Sequence, residues 1–194
     1  MASSLNIESI RSAGLLGLVG VALEIISSIV ITVSHETTYY VDTALGIMGL
    51  LAVLTALHKL SRAYNSPDIF RHALYGAVTI IVGWALVTSI SALAVVGISP
   101  TAHLIGLPIM INPTGTLGLA ITLWVVFYIF TVIAYAHLRN AYTELTNTSN
   151  INNFRSAAKW YWYGALTYVV AVGEILVLLG DLYALVGYNK LRRL

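Results

Sequence analysis

Apolar residues run in long blocks along this chain, and polar residues come in short clusters between them. The first block, about 13–33, is a Leu, Ile and Val run interrupted by Glu24 and by Ser27 and Ser28. A second covers about 43–60, a third about 72–98 and a fourth about 117–138. Each is close to or above the roughly 20 apolar residues that a helix needs to cross a hydrocarbon core about 30 Å thick. The pattern therefore predicts an all-α, polytopic transmembrane bundle.

The clusters between the blocks read as helix ends. Ser34 to Thr38 is polar and is followed by Tyr39 and Tyr40, whose amphipathic rings suit the headgroup layer. Residues 61–71 contain Pro67, which pushes Ser66 out of helical geometry and calls for a turn. The segment 101–116 holds His103, Pro108, Asn112, Pro113 and Gly115, and is too short and broken to span. It is expected to lie in the interface or over the helix ends, and to re-enter the bilayer only if protein shields its backbone. Residues 139–159 form a polar connection rich in Asn and Thr. Its Asn147-Thr148-Ser149 fits a glycosylation acceptor, but on the cytoplasmic side by the orientation argued below.

The last apolar stretch, about 157–188, is harder to read. As one helix it would be about 48 Å long at 1.5 Å per residue. A hairpin would leave two arms of about 15 residues, short of the roughly 20 needed to cross. One long helix is expected, crossing at about 160–188, with Trp160, Tyr161, Trp162 and Tyr163 at one interface and Tyr183 and Tyr188 near the other. That makes five spans, with a sixth left open.

Composition agrees with this pattern. Of the 194 residues, 58% are hydrophobic and 9% charged, against roughly 45–50% and about 25% in an ordinary soluble domain. The spans fill residues 1–194 as a single integral membrane domain, whose first partner is the lipid bilayer. Met1 to Ser12 is polar apart from Leu5, Ile7 and Ile10, and the run after it is longer than a signal-peptide core and ends in no small-x-small cleavage pattern. It is expected to be retained as the first span. A net charge of +2 gives no reason to expect nucleic acid as a partner, and the absence of cysteine excludes disulfides and thiolate metal sites.

Lys59, Arg62, Arg71, Arg139, Arg155 and Lys159 fall in or beside the connections 61–71 and 139–159. The connections 34–42 and 99–116 carry no Lys or Arg. The positive-inside rule then puts the first pair and the amino terminus, with Arg11, in the cytoplasm of a cell-membrane protein. Five spans leave the carboxyl terminus outside, where Lys190, Arg192 and Arg193 break the rule. This conflict points to a sixth crossing or to a long helix that bends back.

The two basic connections echo each other. Leu60-Ser61-Arg62-Ala63-Tyr64 matches Leu138-Arg139-Asn140-Ala141-Tyr142 at Leu, Ala and Tyr. Phe70-Arg71-His72-Ala73 matches Phe154-Arg155-Ser156-Ala157 at Phe, Arg and Ala. Either a two-helix unit is used twice, or inner helix ends favour these residues on their own. The Ala-Tyr helix end, the short polar loop and the restart from Asp68 to Gly76, with a second Phe-Arg-x-Ala start at Phe154 and a Gly-spaced final helix, resemble a mainly archaeal family of uncharacterised integral membrane proteins, domain of unknown function 996. The resemblance covers almost the whole chain. It implies a membrane protein and brings no activity or catalytic residues.

Charged residues inside spans are costly and mark functional hypotheses. Glu24, Glu174 and Asp181 are the three. With spans one and five parallel, Glu24 and Glu174 would share a depth near mid-membrane and Asp181 would lie two turns further out. Acids of this kind suit proton or cation passage, or serve as neutral hydrogen-bonding groups that join helices through Ser27, Ser28, Thr79, Ser89 or Thr122. Gly173, Gly180 and Gly187 recur every seven residues and form a small-residue stripe that admits close helix packing, or a homo-oligomer contact if it faces outward.

His58, His72 and His137 sit at inner helix ends, yet no pair is spaced to ligate from one helix face and no cofactor is called for. No Gly-x-Ser-x-Gly elbow, phosphate loop or His-Glu-x-x-His pair occurs, so an enzyme is not indicated. Three readings follow: passage of a proton, ion or small solute through the bundle; a structural or accessory subunit packing through the glycine stripe, in a homo-oligomer or larger complex; and, third, a lipid-active enzyme.

Overall fold

The computed structural model describes residues 7–33, 39–98, 113–170 and 172–194. The polar stretch 34–38 and residues 99–112 of the expected interfacial segment lie outside them. Six α-helices occur among the described residues: α1 (Ile7–Val33), α2 (Tyr39–Ala63), α3 (Pro67–Ile98), α4 (Pro113–Ser149), α5 (Asn152–Thr167) and α6 (Val172–Arg192). Five of them, all but α5, are long and apolar enough to cross a membrane. The long apolar helices bond their interior backbone groups within their own segments, as a bilayer requires, and leave unpaired groups only at their ends.

Each helix packs against its neighbours in sequence, and α6 closes on α1. The result is a ring of three antiparallel hairpins, loosest at the seam between α2 and α3. The direction of packing follows from pairs along each seam. Lys59 donates to Ser12 at one end of α1 and α2, and Ser27 donates to the Asp42 carboxylate at 2.6 Å near the other. Gly83 of α3 lies against Phe130 of α4, and Gly76 against Ala134.

The last apolar stretch corrects the single-helix expectation. It breaks at a three-residue 3₁₀ turn, Tyr168–Val170, and folds back, so that Gly187 meets Phe154, Gly180 meets Tyr161 and Gly173 meets Gly164. Length did not forbid this because the arms extend into the flanking polar residues. α5 has 16 residues, and α6 has 21; at 1.5 Å per residue they reach about 24 and 32 Å, and the 3₁₀ turn adds about 6 Å. Tyr188 is therefore not at an opposite interface from Trp160. It is fully buried, beside Phe154, near where the hairpin begins.

This fold-back also gathers the charge. The chain's Lys and Arg residues, ten in all, now lie in the half of the bundle that holds the α2–α3 and α4–α5 turns and both described chain ends. Lys190 donates to the Asn153 side chain at 2.8 Å, joining the two ends of the hairpin. The packed core lies in the same half: Leu57, Leu60, Ile69, Tyr142, Leu145 and Tyr188 are all sealed. Away from it, large apolar side chains such as Val78, Ile81, Ile121 and Ile129 face outward. That is the arrangement expected of helices surrounded by lipid.

The two basic turns share a backbone device. Asn65 (φ 51°) and Asn150 (φ 57°) each end a helix in the left-handed region, which Asn tolerates better than most side chains. Phe70 and Phe154 sit in the first turns of the helices that follow. The preceding halves of the sequence echo are not equivalent. Tyr64 directly follows α2, whereas α4 continues beyond Tyr142 to Ser149, which places Tyr142 inside the core.

Candidate functional site

Inside the ring lies a cavity of about 280 Å³ lined by residues from all six helices. Glu24 of α1 and Asp181 of α6 both face it, at matching depth on adjacent antiparallel helices. No Lys or Arg is among the lining residues. These carboxyl groups carry the cavity's formal charge.

Local sequence explains how each acid is held. Gly49 of α2 lies against Glu24; a Cβ there would come within 2.8 Å of the Glu24 Cγ, so the glycine leaves the room that the longer side chain occupies. Gly180 does the same for Tyr161, whose ring sits where a Cβ at 180 would meet it at 2.6 Å. Seated there, Tyr161 donates its hydroxyl to the Asp181 carboxylate at 2.7 Å. Tyr142 hydrogen-bonds the Tyr188 hydroxyl at 3.2 Å, and its ring packs against Phe154 and Tyr161. With Leu57 and Leu138, this aromatic group bounds the cavity toward the basic end.

The structure brings Glu24 and Asp181 together and leaves Glu174 out. Glu174 is exposed in the first turn of α6, beside the hairpin tip, because α6 runs antiparallel to α1. Gly173, Gly180 and Gly187 face α5 of the same chain, so the stripe joins the hairpin and does not present an outward surface. His72 and His137 face each other across α3 and α4 with ring centroids 5.8 Å apart, while His58 packs against Phe70. The three do not converge, and no cluster of three metal-ligating side chains occurs among the described residues.

Sequence reasoning missed Asp42 and the tyrosines. Asp42 is buried and takes the Ser27 hydroxyl, a pairing invisible without knowing that α1 and α2 form a hairpin. Tyr135, Tyr142 and Tyr161 all line the cavity. Their signal was present: Tyr128, Tyr135 and Tyr142 recur every seven residues along α4, as Tyr161 and Tyr168 do further on. A seven-residue period holds a polar tip on one helix face, the same logic that marked the glycines.

Five membrane-length helices and an internal, acid-bearing cavity define a multi-pass helical membrane protein. The chain belongs to the family described as protein of unknown function (DUF996), whose model matches residues 45–182. It is similar to the uncharacterized protein MJ1644 of the archaeon Methanocaldococcus jannaschii, at 28% identity over 94% of this chain and 93% of that protein. No solved structure matches.

Proposed function

We propose that this protein carries a proton or a small cation through its helix ring, with Glu24 and Asp181 as the groups that hold it. The observation that carries this reading is the pair of carboxyl groups converging on one cavity within the ring, with no Lys or Arg among its described lining residues. Burying an acid within a membrane is costly, and such groups persist where they pair or serve a pathway. Here neutralisation has to come from a proton or from a cation that enters. The inward-facing glycine stripe supports this reading over a scaffold role, because the surface that an accessory subunit would pack through is already used within the chain.

In this reading the basic half of the bundle faces the cytoplasm. The fold-back of α6 supports it, because the carboxyl-terminal Lys190, Arg192 and Arg193 then obey the positive-inside rule along with the loop residues.

The test is flux in proteoliposomes under an imposed membrane potential, followed with an internal pH dye and with cation-selective electrodes. Glu24→Gln and Asp181→Asn should each lower flux by about tenfold or more, while Glu174→Gln, at the exposed hairpin tip, leaves it near wild type. Unchanged flux in both cavity variants would remove the proposal.

A further inference from the structure

Resting on the cation reading, we infer that the cavity takes an organic monocation, a protonated amine on a small apolar body. The cavity has two unlike walls. All eight lining residues that α2 and α3 contribute are apolar, among them Leu50, Leu54, Ala77 and Ile80. The acids and the tyrosines come from α1, α4, α5 and α6. A ligand that satisfies both walls has a charged head and an apolar remainder.

Two polar groups on the second wall await a partner. The Glu24 side chain is half-buried, faces the cavity and accepts no hydrogen bond from any described residue. Tyr135 also lines the cavity, and its hydroxyl has no hydrogen-bond partner among the described residues. Tyr142 and Tyr161, by contrast, spend their hydroxyls on Tyr188 and Asp181. A carboxyl without a matching group on the wall of a cavity inside a membrane is costly, and a ligand that supplies one is favoured. An ammonium donates up to three hydrogen bonds, enough for Glu24, for Asp181 and for the Tyr135 oxygen, while the tyrosine rings on the same wall favour a cation over a neutral group.

Size and coordination argue against a bare metal ion. A calcium ion takes about six to eight oxygen ligands, whereas two carboxyl groups are the only anionic donors among the described lining residues, and eleven of those seventeen residues are apolar. A volume of about 280 Å³ equals that of roughly nine liquid waters at about 30 Å³ each. It lies just below the usual small-ligand range of roughly 300–1,000 Å³. A compact amine fits; a drug-sized molecule does not.

The probe is benzylammonium, with benzyl alcohol as its neutral counterpart and sodium and potassium as inorganic cations, titrated calorimetrically into the full chain in lipid nanodiscs and corrected with empty nanodiscs. Benzylammonium should bind saturably at one site, and benzyl alcohol, sodium and potassium should bind at least about tenfold more weakly. Glu24→Gln should weaken benzylammonium by a similar factor, and Ala77→Phe, which fills the apolar wall, should remove it. The comparison among probes on the unaltered protein holds whether or not the variants fold. Equal binding of benzyl alcohol would overturn the inference by showing a merely apolar cavity. Sodium or potassium that saturates the site and displaces benzylammonium would also overturn it, while leaving the cation reading in place. Failure of that broader reading shows separately, as unchanged flux in both cavity variants.

Discussion

Gly173→Leu is expected to abolish the α5–α6 hairpin, leaving protein that is extracted from membranes as aggregate and not as a single sharp species. A Cβ at 173 would lie 2.5 Å from the Gly164 carbonyl oxygen and 2.5 Å from the Tyr168 Cα. Both are backbone atoms of the facing helix and of the turn itself, so no rotamer change relieves the clash. Even Gly173→Ala should cost about 2–3 kcal/mol, the upper part of the usual range for overpacking. Gly118→Ala is the control, because nothing lies within 4 Å of a Cβ there. It should be neutral or should stabilise slightly, by up to about 1 kcal/mol, through helix propensity. Thermal unfolding in detergent, followed by size-exclusion chromatography, separates the two outcomes.

The second large effect is expected at ring closure. Gly14 of α1 lies directly on the backbone of α6, and a Cβ there would meet the Arg192 nitrogen at 2.6 Å and the Tyr188 oxygen at 2.9 Å. Gly17, one turn further along, lies against the Tyr188 ring. Gly14→Leu must separate the two helices, and with them Glu24 and Asp181, which sit further along the same seam. The expected result is a loss of thermal stability of more than about 3 kcal/mol, together with loss of flux in proteoliposomes. Gly14→Ala should show the same direction at about half the size. In a membrane, where lipid is as apolar as a leucine side chain, close backbone approach contributes much of what holds helices together. Each of these glycines therefore supports more packing than its size suggests.

Much of this architecture was legible in the sequence because long apolar blocks have one dominant solution in lipid. The first four blocks became α1 to α4, and the segment 64–66 before Pro67 and the cluster near Asn150 became turns. The hairpin was not legible for a specific reason. Its turn, Tyr168-Val169-Val170, is apolar and contains no Gly, Pro or Asn, so nothing in the local sequence interrupts the hydrophobic run. The glycines at 173, 180 and 187 were read as a face for another helix, and that helix is the preceding segment of the same chain. The one sequence feature that pointed to the fold-back was the basic tail, which an outward terminus could not accommodate.

The candidate site was half legible for a related reason. An acid inside an apolar span is visible at once, and Glu24 and Asp181 were both found that way. Their meeting depends on the direction of α6, which reversed the expected partners: Glu24 sits level with Asp181, and Glu174 is carried to the exposed tip. The tyrosines were read as interface anchors because that is the commonest place for such rings in membrane proteins. Tyr161 and Tyr188 lie instead in the core, where the glycine at 180 and the Tyr142 hydroxyl give them room and a partner.

The fold-back is the feature on which the ring, the cavity and the charge distribution all depend. Because the chain has no cysteine, a single introduced thiol reports its own side of the membrane without background. Glu8→Cys, Leu194→Cys and Val170→Cys place one thiol near the amino terminus, at the carboxyl terminus and at the hairpin tip. Treatment of intact cells with a membrane-impermeant maleimide should label position 170 and leave 8 and 194 unlabelled until the membrane is opened. Labelling of position 194 in intact cells while position 8 stays protected would contradict the account, because it would put the two ends of the chain on opposite sides.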